Sequence, residues 1–495
     1  MGSQPTGSLS KSARRALAAI VGERGVRADA LARSAYESDG FALAAESPEV
    51  IVLPRSTEEA ARVVRVLREE GLVVVPRGAG TGLTGGARPT RGGATVGTAR
   101  MRDVLEVSEL DRFARVQAGV VNVHLTAAAE PCGLFYAPDP SSQTACTIGG
   151  NVANNSGGPH CFKYGTTARH VLGVTLVDSD GEVHELGGPD QVDPDAGALD
   201  LVGPLVGSEG MLGLVTEVTV ALLPEPETVE TLLVLYESLD ACCDAVSAMI
   251  AENLEPSAIE ILDRLTIEAV EASVLRAGYP ANAEAVALIE VEGGAAEVDA
   301  IAADVETVAR KHGAFDVERT RDGAERKRLW AGRKGAFGAM GRIAPDLYVA
   351  DVVAPRTKLR DIVAVATRAC AARGLKLSNV LHAGDGNLHP NISYDRRDPD
   401  EVERVVAAAT EIMRACVDAG GSLTGEHGVG LEKQAEMCLV FGDDDLDAMK
   451  DLRRAFDPTG FWNPGKLFPV RACREVAHAP LPVQLPHPGG TENGR

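Results

Sequence analysis

The chain contains 495 residues, 45% of them hydrophobic, and this length predicts two or three domains with apolar cores. Its 71 aspartate and glutamate residues outnumber its 49 lysine and arginine residues, which gives a formal net charge of −22. A surface of that sign repels nucleic acid and anionic lipid, so neither is an expected partner. It also requires local cations wherever a small anionic ligand binds.

The sequence contains no stretch of about 18 consecutive apolar residues, so no membrane span is predicted. Residues 1–15 are rich in serine and glycine and lack the apolar centre of a secretory signal. We therefore expect a cytoplasmic protein, which partner subunits could hold at the inner face of the membrane.

The pattern of apolar residues predicts an N-terminal helical segment over residues 1–46 and a first domain over residues 47–224. At the start of this domain, a strand at 50–54 precedes a helix at 57–70. A second strand, 72–75, leads directly into a glycine-rich loop. Short strand patterns separated by glycine and proline then continue to the end of the domain.

The glycine-rich loop, residues 77–86, can surround a phosphate-bearing cofactor. Glycine lets backbone amides lie against a ligand, because a Cβ atom would hold them away. No Lys-Ser or Lys-Thr pair closes the loop, so it is not a Walker A motif. Gly80, Gly82 and Gly85 match the dinucleotide-binding spacing, but Pro89 interrupts the helix that this motif must open. We predict a cradle formed by a loop; a flexible connector is the alternative.

A short linker pattern at 224–228 precedes a second predicted domain, residues 225–469. Its strand patterns alternate with alanine-rich helix patterns, and this arrangement predicts an α+β fold. Two later helix patterns, 400–419 and 443–455, form a C-terminal helical segment. The tail, 470–495, is rich in proline and we expect it to be flexible.

Four residues with catalytic chemistry lie in two short glycine-rich segments: His382, His389, Glu426 and His427. Strand patterns at 375–381 and 388–394 predict a hairpin that brings the first two histidines to the same end. Two histidines and one glutamate, His382, His389 and Glu426, form a three-ligand site for zinc, iron or manganese. His427 is then available as a general base. The alternative is that these histidines only satisfy turns or packing.

Three segments of the first domain resemble the FAD-binding domain of the vanillyl-alcohol oxidase family, also called the p-cresol methylhydroxylase (PCMH) type. They are residues 77–86, 138–158 and 207–215. In the second domain, residues 382–389 and 425–430 resemble the C-terminal domain of FAD-linked 2-hydroxy acid dehydrogenases. Shorter sequence motifs such as Trp330-Ala-Gly-Arg-Lys334 are most similar to the flavin subunit of glycolate oxidase (glycolate dehydrogenase).

This resemblance implies a PCMH-type FAD-binding domain followed by an α+β substrate domain, or cap domain, with an antiparallel sheet. Some family members attach the flavin to a histidine just after the glycines of the first loop. Residues 77–86 contain no histidine, so we expect FAD to be held without a covalent bond. The residues implied to bind it are Arg77, Gly78, Ala79, Gly80, Thr81, Gly82, Pro138, Ser141, Thr144, Gly149, Gly150, Asn154, Glu209, Gly213, Val215 and Asn463.

The resemblance also implies the reaction, which is oxidation of a small 2-hydroxy acid to the 2-oxo acid by hydride transfer to flavin N5. Arg333 is implied to bind the substrate carboxylate, and we expect Asn391, on the same strand face as His389, to contact the substrate. Phe337 and Asp351 stand where hydroxyglutarate enzymes have a threonine and a lysine. A second substrate carboxylate would lack partners there, so a small monoacid, with glycolate first, is expected.

The electrons require an external acceptor, because the cysteine spacing provides no iron–sulfur motif. Companion flavin-like and iron–sulfur subunits, a quinone or a cytochrome are the expected acceptors. Two alternatives stay open at this stage. One is a D-lactate dehydrogenase with the same fold, and the other is a non-catalytic flavin subunit of a larger redox complex.

Overall fold

The computed structural model describes residues 9–41, 43, 45–90, 92–189 and 199–470. The tail that is expected to be flexible lies outside this range, apart from its first residue. Among the described residues, no helix combines the length and hydropathy needed to cross a membrane. The fold is a mixture of helices and sheets, as the sequence predicts.

Residues up to 224 contain eleven strands and six α-helices in the described part of the chain. The strands are β1 Val26–Arg27, β2 Val50–Val52, β3 Val74–Arg77, β4 Ala94–Gly97, β5 Val104–Ser108, β6 Phe113–Gln117, β7 Leu134–Phe135, β8 Val171–Val177, β9 Val183–Gly187, β10 Leu214–Ala221 and β11 Leu223–Pro224. The helices are α1 Lys11–Val21, α2 Ala30–Ser34, α3 Thr57–Glu69, α4 Asn122–Ala129, α5 Ile148–Asn154 and α6 Cys161–Tyr164.

These strands form two main sheets and one short pair. The first sheet has the order β1-β2-β4-β3, in which β4 runs parallel to both of its neighbours. The second has the order β5-β6-β10-β8-β9 and is antiparallel throughout, while β11 pairs with β7. The residues after β3 form no helix, so the glycine-rich segment is a loop, as predicted.

The N-terminal segment packs onto the first sheet. Leu17 and Val21 of α1 are buried in one core with Leu67 of α3. The segment also contains β1, which pairs antiparallel with β2 and which the helical periodicity did not predict. A strand of two residues is too short to show an alternating pattern.

The second domain consists of one large sheet with helices on both faces. Its strands are β12 Thr228–Tyr236, β13 Ala258–Asp263, β14 Ala285–Gly293, β15 Ala314–Thr320, β16 Asp346–Val349, β17 Val352–Val353, β18 Lys376–His382 and β19 Asn387–Tyr394. Its helices are α7 Leu239–Ala251, α8 Arg264–Glu271, α9 Ala295–Lys311, α10 Gly323–Lys334, α11 Ala336–Met340, α12 Leu359–Ala371, α13 Pro399–Asp418 and α14 Asp443–Phe456.

The large sheet has the order β15-β12-β14-β13-β18-β19-β16, with β17 also paired to β19, and every pairing is antiparallel. Helices α7, α9, α12 and α13 bury their apolar residues against one face. Helices α8, α10 and α11 pack on the other face. The antiparallel sheet expected for the cap domain is therefore present.

The predicted hairpin is confirmed as β18 and β19. His382 pairs with Asn387, and Val380 pairs with His389. Side chains alternate along a strand, so His382, Val380 and His389 share one face, toward α8, α10 and α11. Both histidines consequently lie at the same end of the hairpin.

After α14 the chain returns to the first domain. The Val74 amide donates to the Phe461 carbonyl, and the Asn463 amide donates to the Val74 carbonyl, at 2.8 and 2.7 Å. Between these two contacts, Trp462 is fully buried in the core beneath β3. Trp462, which comes after α14 in the sequence, thus completes the core of the first domain.

We expect Trp462→Ala to lower the free energy of unfolding by about 3–5 kcal/mol, because it leaves a large cavity under β3. Urea denaturation followed by circular dichroism measures this change. Leu452→Ala is the control, because Leu452 is a half-exposed residue of α14 and should change stability by no more than about 0.5 kcal/mol. Equal stability of the two variants would contradict the packing role of Trp462.

Candidate active site

A cavity of about 580 Å³ lies between the two domains. Its first-domain wall consists of the loop after β3, the segment around the start of α5 and residues 208–215. Its second-domain wall includes Lys334, Phe337, Glu426 and His427. The glycine-rich loop and part of the histidine–glutamate cluster therefore face one space.

The loop after β3 provides a backbone surface on which an elongated ligand can lie. A Cβ atom added to Gly82 would meet a single protein atom within 4 Å, Asn154 Nδ2 at 3.5 Å, so the remaining space belongs to the cavity. Gly80 has a φ of 73°, which favours glycine. The Arg77 guanidinium lies beneath the loop, where Nη1 donates to the Ser38 carbonyl at 2.8 Å. These features fit a cofactor with a pyrophosphate, such as FAD.

The histidine–glutamate cluster converges on one carboxylate oxygen. Glu426 Oε1 lies 3.2 Å from His382 Nε2, 3.5 Å from His389 Nε2 and 3.9 Å from His427 Nε2. The candidate ligand atoms of His382, His389 and Glu426 all lie within 4.8 Å of one another. A second group of three, Asp351, His389 and His427, meets the same distance limit. The donor set of nitrogen and carboxylate oxygen fits a divalent cation.

Several polar atoms around this cluster are buried without a hydrogen-bond partner in the described part of the chain. They include Nη1 of Arg333, Nδ1 of His389, Nδ1 of His427 and both amide atoms of Asn391. The rings of His389 and His427 stack with centroids 4.9 Å apart. Because unsatisfied buried polar atoms are costly, their presence indicates that this region receives a ligand.

A buried carboxylate positions the segment that carries Glu426 and His427. Asp351 Oδ2 accepts hydrogen bonds from the amides of Gly425 and His427 at 2.9 and 3.0 Å, and from Thr424 Oγ1 at 2.6 Å. Lys433 Nζ lies 3.3 Å from the same oxygen. Burial acts to raise the pKa of Asp351, but Lys433 and the neighbouring histidines hold it well below its usual range.

Behind His382 lies a second buried ion pair. His382 Nδ1 lies 2.7 Å from Glu260 Oε1, and the other oxygen of Glu260 is paired with Arg333. Burial acts to lower the pKa of His382, whereas Glu260 and Glu426 raise it well above its usual value. This contact fixes the ring so that Nε2 points at Glu426.

His427 is held through its backbone by residues of the first domain. Its carbonyl accepts hydrogen bonds from Thr84 Oγ1 and Asn154 Nδ2, both at 3.3 Å. Next to it, the carboxylate of Glu209 accepts from the amides of Val429 and Gly430 at 2.7 and 2.8 Å. Burial lowers the pKa of His427 to about 4, which leaves the ring neutral near pH 7.

Both domains match known protein families. The FAD binding domain model matches residues 48–187, and the model for FAD linked oxidases, C-terminal domain, matches residues 225–467. Glycolate oxidase subunit GlcD of Escherichia coli is 43% identical over 453 residues, which cover 90% of each chain. This chain belongs to the FAD-linked oxidase family.

A more distant relative supports this family assignment, and a solved structure shows the same fold. D-lactate dehydrogenase of Anaerostipes hadrus is 32% identical and covers 85% of this chain and 89% of its own. The crystal structure of p-cresol methylhydroxylase with bound substrate superposes with a TM-score of 0.77 at 16% identity, covering 94% and 98% of the two chains. The chain therefore has the fold of p-cresol methylhydroxylase, as the sequence predicts.

Most residues expected to bind FAD in this FAD-linked oxidase line the cavity. They are Arg77, Gly78, Ala79, Gly80, Thr81, Gly82, Ser141, Gly149, Gly150, Asn154, Glu209, Gly213 and Val215. Thr144 is exposed and lies outside the cavity wall. Pro138 and Asn463 support the wall from behind: the Pro138 carbonyl accepts from Asn122, and Asn463 Nδ2 donates to the carbonyls of Gly86 and Glu209.

The two residues expected to bind substrate do not line the cavity. Arg333 is fully buried and paired with Glu260, and Asn391 lies on β19 two residues after His389. Asn391 adjoins the cluster and its amide is free for a ligand, while Arg333 contacts the cluster from behind His382 and has Nη1 without a partner among the described residues.

Sequence reasoning missed Glu260, Lys334 and the structural role of Asp351. Glu260 offered a signal, because it is a charged residue in the middle of the apolar run that forms β13. Asp351 carried no local signal, since its hydrogen-bond donors lie more than seventy positions further along the chain. Lys334 stands beside Arg333, and the sequence does not indicate which of the two faces the cavity.

We expect Gly82→Ala to weaken FAD binding by about tenfold or more, or about 1.4 kcal/mol, while the apoprotein stays folded. The new methyl group meets no close protein atom and occupies space on the cavity side. Fluorescence titration of the apoprotein with FAD measures this change. Gly338→Ala in α11, which also has open space at its Cβ position, is the control. Equal FAD affinity in the two variants would contradict the assignment of the loop as the cradle.

Proposed function

We propose that this FAD-dependent oxidoreductase oxidises glycolate to the 2-oxo acid. The observation that carries the proposal is that His427 and Glu426 line the same cavity as the glycine cradle. An oxidation of this kind requires a proton acceptor and a hydride acceptor on either side of the substrate carbon. The identity of 43% to a glycolate oxidase subunit supports glycolate as the substrate.

In this proposal His427 removes the proton of the substrate hydroxyl. Its ring is neutral near pH 7 and lines the cavity, and backbone contacts to Thr84 and Asn154 hold it in place. The stacked ring of His389 restricts its rotation. Bound FAD supplies the hydride acceptor.

We also propose that His382, His389 and Glu426 hold a divalent metal, which supplies Lewis-acid polarisation of the substrate oxygen. The support is that Glu426 Oε1 lies 3.2 and 3.5 Å from Nε2 of His382 and of His389, the other two proposed ligands. Glu260 orients His382 through Nδ1, as outer carboxylates do for histidine ligands. In this proposal the amide of Asn391, which has no partner among the described residues, binds the substrate beside this set.

The cavity wall near the cluster favours a small substrate. The Phe337 ring lines the cavity, with its centroid 5.8 Å from that of His389. An apolar ring at this position excludes water and provides no partner for a second carboxylate. D-lactate is the second candidate, because the D-lactate dehydrogenase relative is 32% identical.

Electrons are proposed to leave through a companion subunit or a quinone or cytochrome acceptor. The support is that the Escherichia coli relative is named as one subunit of an oxidase. A dye that accepts electrons from reduced flavin replaces such an acceptor in an assay.

We expect purified protein to contain about one divalent metal ion per chain, and expect both Glu426→Gln and chelation to remove it together with dye-linked glycolate oxidation. Mass spectrometry of metal content and the dye assay provide the two readouts. Glu268→Gln, at an exposed glutamate of α8, should keep both metal and activity. A metal-free wild-type protein with full activity would contradict the proposed metal site.

We expect His427→Gln to lower kcat for glycolate by about 10²–10⁴-fold, because it removes the proton acceptor and leaves the metal ligands in place. The flavin spectrum and the metal content should not change. His184→Gln, at an exposed histidine of β9, is the control and should behave as the wild type. Turnover retained by His427→Gln would show that another group is the base.

A further inference from the structure

The charge pattern of the cavity wall identifies a cation that the family resemblance did not. Among the described residues, the lysine and arginine residues that line the cavity are Arg77 and Lys334. Arg77 lies beneath the glycine-rich loop, bonded to the Ser38 carbonyl and stacked over Tyr36. It therefore serves the cradle, and Lys334 is the cation of the opposite wall.

Arg333 is less suited to this role, because Nε and Nη2 of its guanidinium already pair with Glu260 and leave Nη1 as its one unpartnered nitrogen among the described residues. Its guanidinium is fully buried and paired with Glu260, whose other oxygen contacts His382. Pulling it toward the cavity would break the buried Arg333–Glu260 ion pair, which is strongly unfavourable. Arg333 thus positions His382, and the next residue of α10 faces the ligand space.

Lys334 lies on the cavity wall that also includes Phe337, Glu426 and His427. Its Nζ donates to Asp139 Oδ2 at 3.0 Å. Gly157 and Gly158 lie between this carboxylate and Glu426. Cβ atoms placed on them would lie 2.6 Å from Glu426 Oε2 and 2.8 Å from Asp139 Oδ1, respectively. One helical turn after Lys334, Phe337 contacts His389.

A network across the domain boundary shares the Asp139 carboxylate between two cationic side chains, His160 and Lys334. His160 bridges Asp139 and Glu290 with both ring nitrogens at 3.0 Å, and Arg326 pairs with Glu290 at 3.1 Å. Burial acts to lower the pKa of His160, but the two carboxylates outweigh it and raise the pKa to about 10. Within this group of five side chains, His160, Arg326 and Lys334 then carry three positive charges, and Asp139 and Glu290 carry two negative ones.

We propose that the Lys334 ammonium binds the carboxylate of the substrate, and that Asp139 and His160 hold it in place for this purpose. This assignment rests on the proposed function, and it makes Lys334 a specificity-determining residue for monocarboxylates. An ammonium has three N–H groups, so Lys334 can donate to Asp139 and to a substrate carboxylate at the same time. His160 neutralises Asp139, which would otherwise repel the anion.

The test compares Lys334→Met, which removes the charge and keeps the aliphatic stem, with Lys334→Arg, which keeps the charge. Removing a charge-assisted hydrogen bond should raise KM for glycolate by about ten- to a hundredfold and change kcat much less. Lys334→Arg should recover most of the affinity. Titration of the flavin absorption with acetate, which cannot be oxidised, should show the same loss of affinity in Lys334→Met.

Lys163→Met is the matched control, because Lys163 pairs with Glu292 at the same domain boundary and does not line the cavity. It should leave both KM and acetate binding unchanged. Flavin content and melting temperature of all variants confirm that each is folded. An equal loss in Lys163→Met, or unchanged KM and acetate affinity in flavin-loaded Lys334→Met, would overturn the assignment.

The two proposals fail in different ways. A wild-type protein that oxidises no 2-hydroxy acid overturns the proposed function. If acetate still binds more weakly to Lys334→Met, Lys334 remains a carboxylate-binding residue for another substrate. Normal glycolate turnover with no effect of Lys334→Met overturns the Lys334 assignment alone.

Discussion

The buried carboxylate of Asp351 sets the position of the segment on which the candidate site depends. It accepts hydrogen bonds from the amides of Gly425 and His427, and it pairs with the fully buried Lys433. Buried pairs of this kind contribute little net stability after their desolvation cost, but they fix a geometry. Here the fixed geometry places Glu426 and His427 toward the cavity. Without this carboxylate, the amides of the glycine-rich segment would have no common acceptor.

The first domain holds the same segment from the opposite side. The Glu209 carboxylate accepts from the amides of Val429 and Gly430, while Asn154 and Thr84 donate to the His427 carbonyl. Glu209 adopts a φ of 52°, an uncommon conformation for a non-glycine residue, which the two hydrogen bonds can support. The wall that binds the cofactor and the proposed base are therefore parts of one connected framework. This connection explains how the two domains form a single site.

The sequence predicted those features that depend on local pattern. Alternation of apolar residues gave the hairpin of β18 and β19, and the density of glycine gave the loop after β3. Features that depend on tertiary contacts were not predictable. The apolar run of β13 contains Glu260, whose burial is explained only by Arg333 and His382 from distant parts of the chain. Helix α10 is strongly polar, so its sequence shows little apolar periodicity.

The same limit applies to individual site residues. Arg333 and Lys334 are adjacent on a helix, where successive side chains differ by about 100° in direction. Their residue types alone could not show that one points at Glu260 and the other at the cavity. His382, His389 and Glu426 were predicted together because their flanking glycines mark turns. The structure brings them together, and their role as metal ligands is still a proposal.

The central claim is that FAD and the histidine–glutamate cluster act on one small 2-hydroxy acid in the cavity between the domains. Anaerobic mixing of glycolate with the FAD-loaded protein tests this claim directly, because no electron acceptor or partner subunit is needed. The account predicts rapid bleaching of the visible flavin bands and release of the 2-oxo acid. A flavin spectrum that stays oxidised with glycolate, D-lactate and every other small 2-hydroxy acid would contradict it.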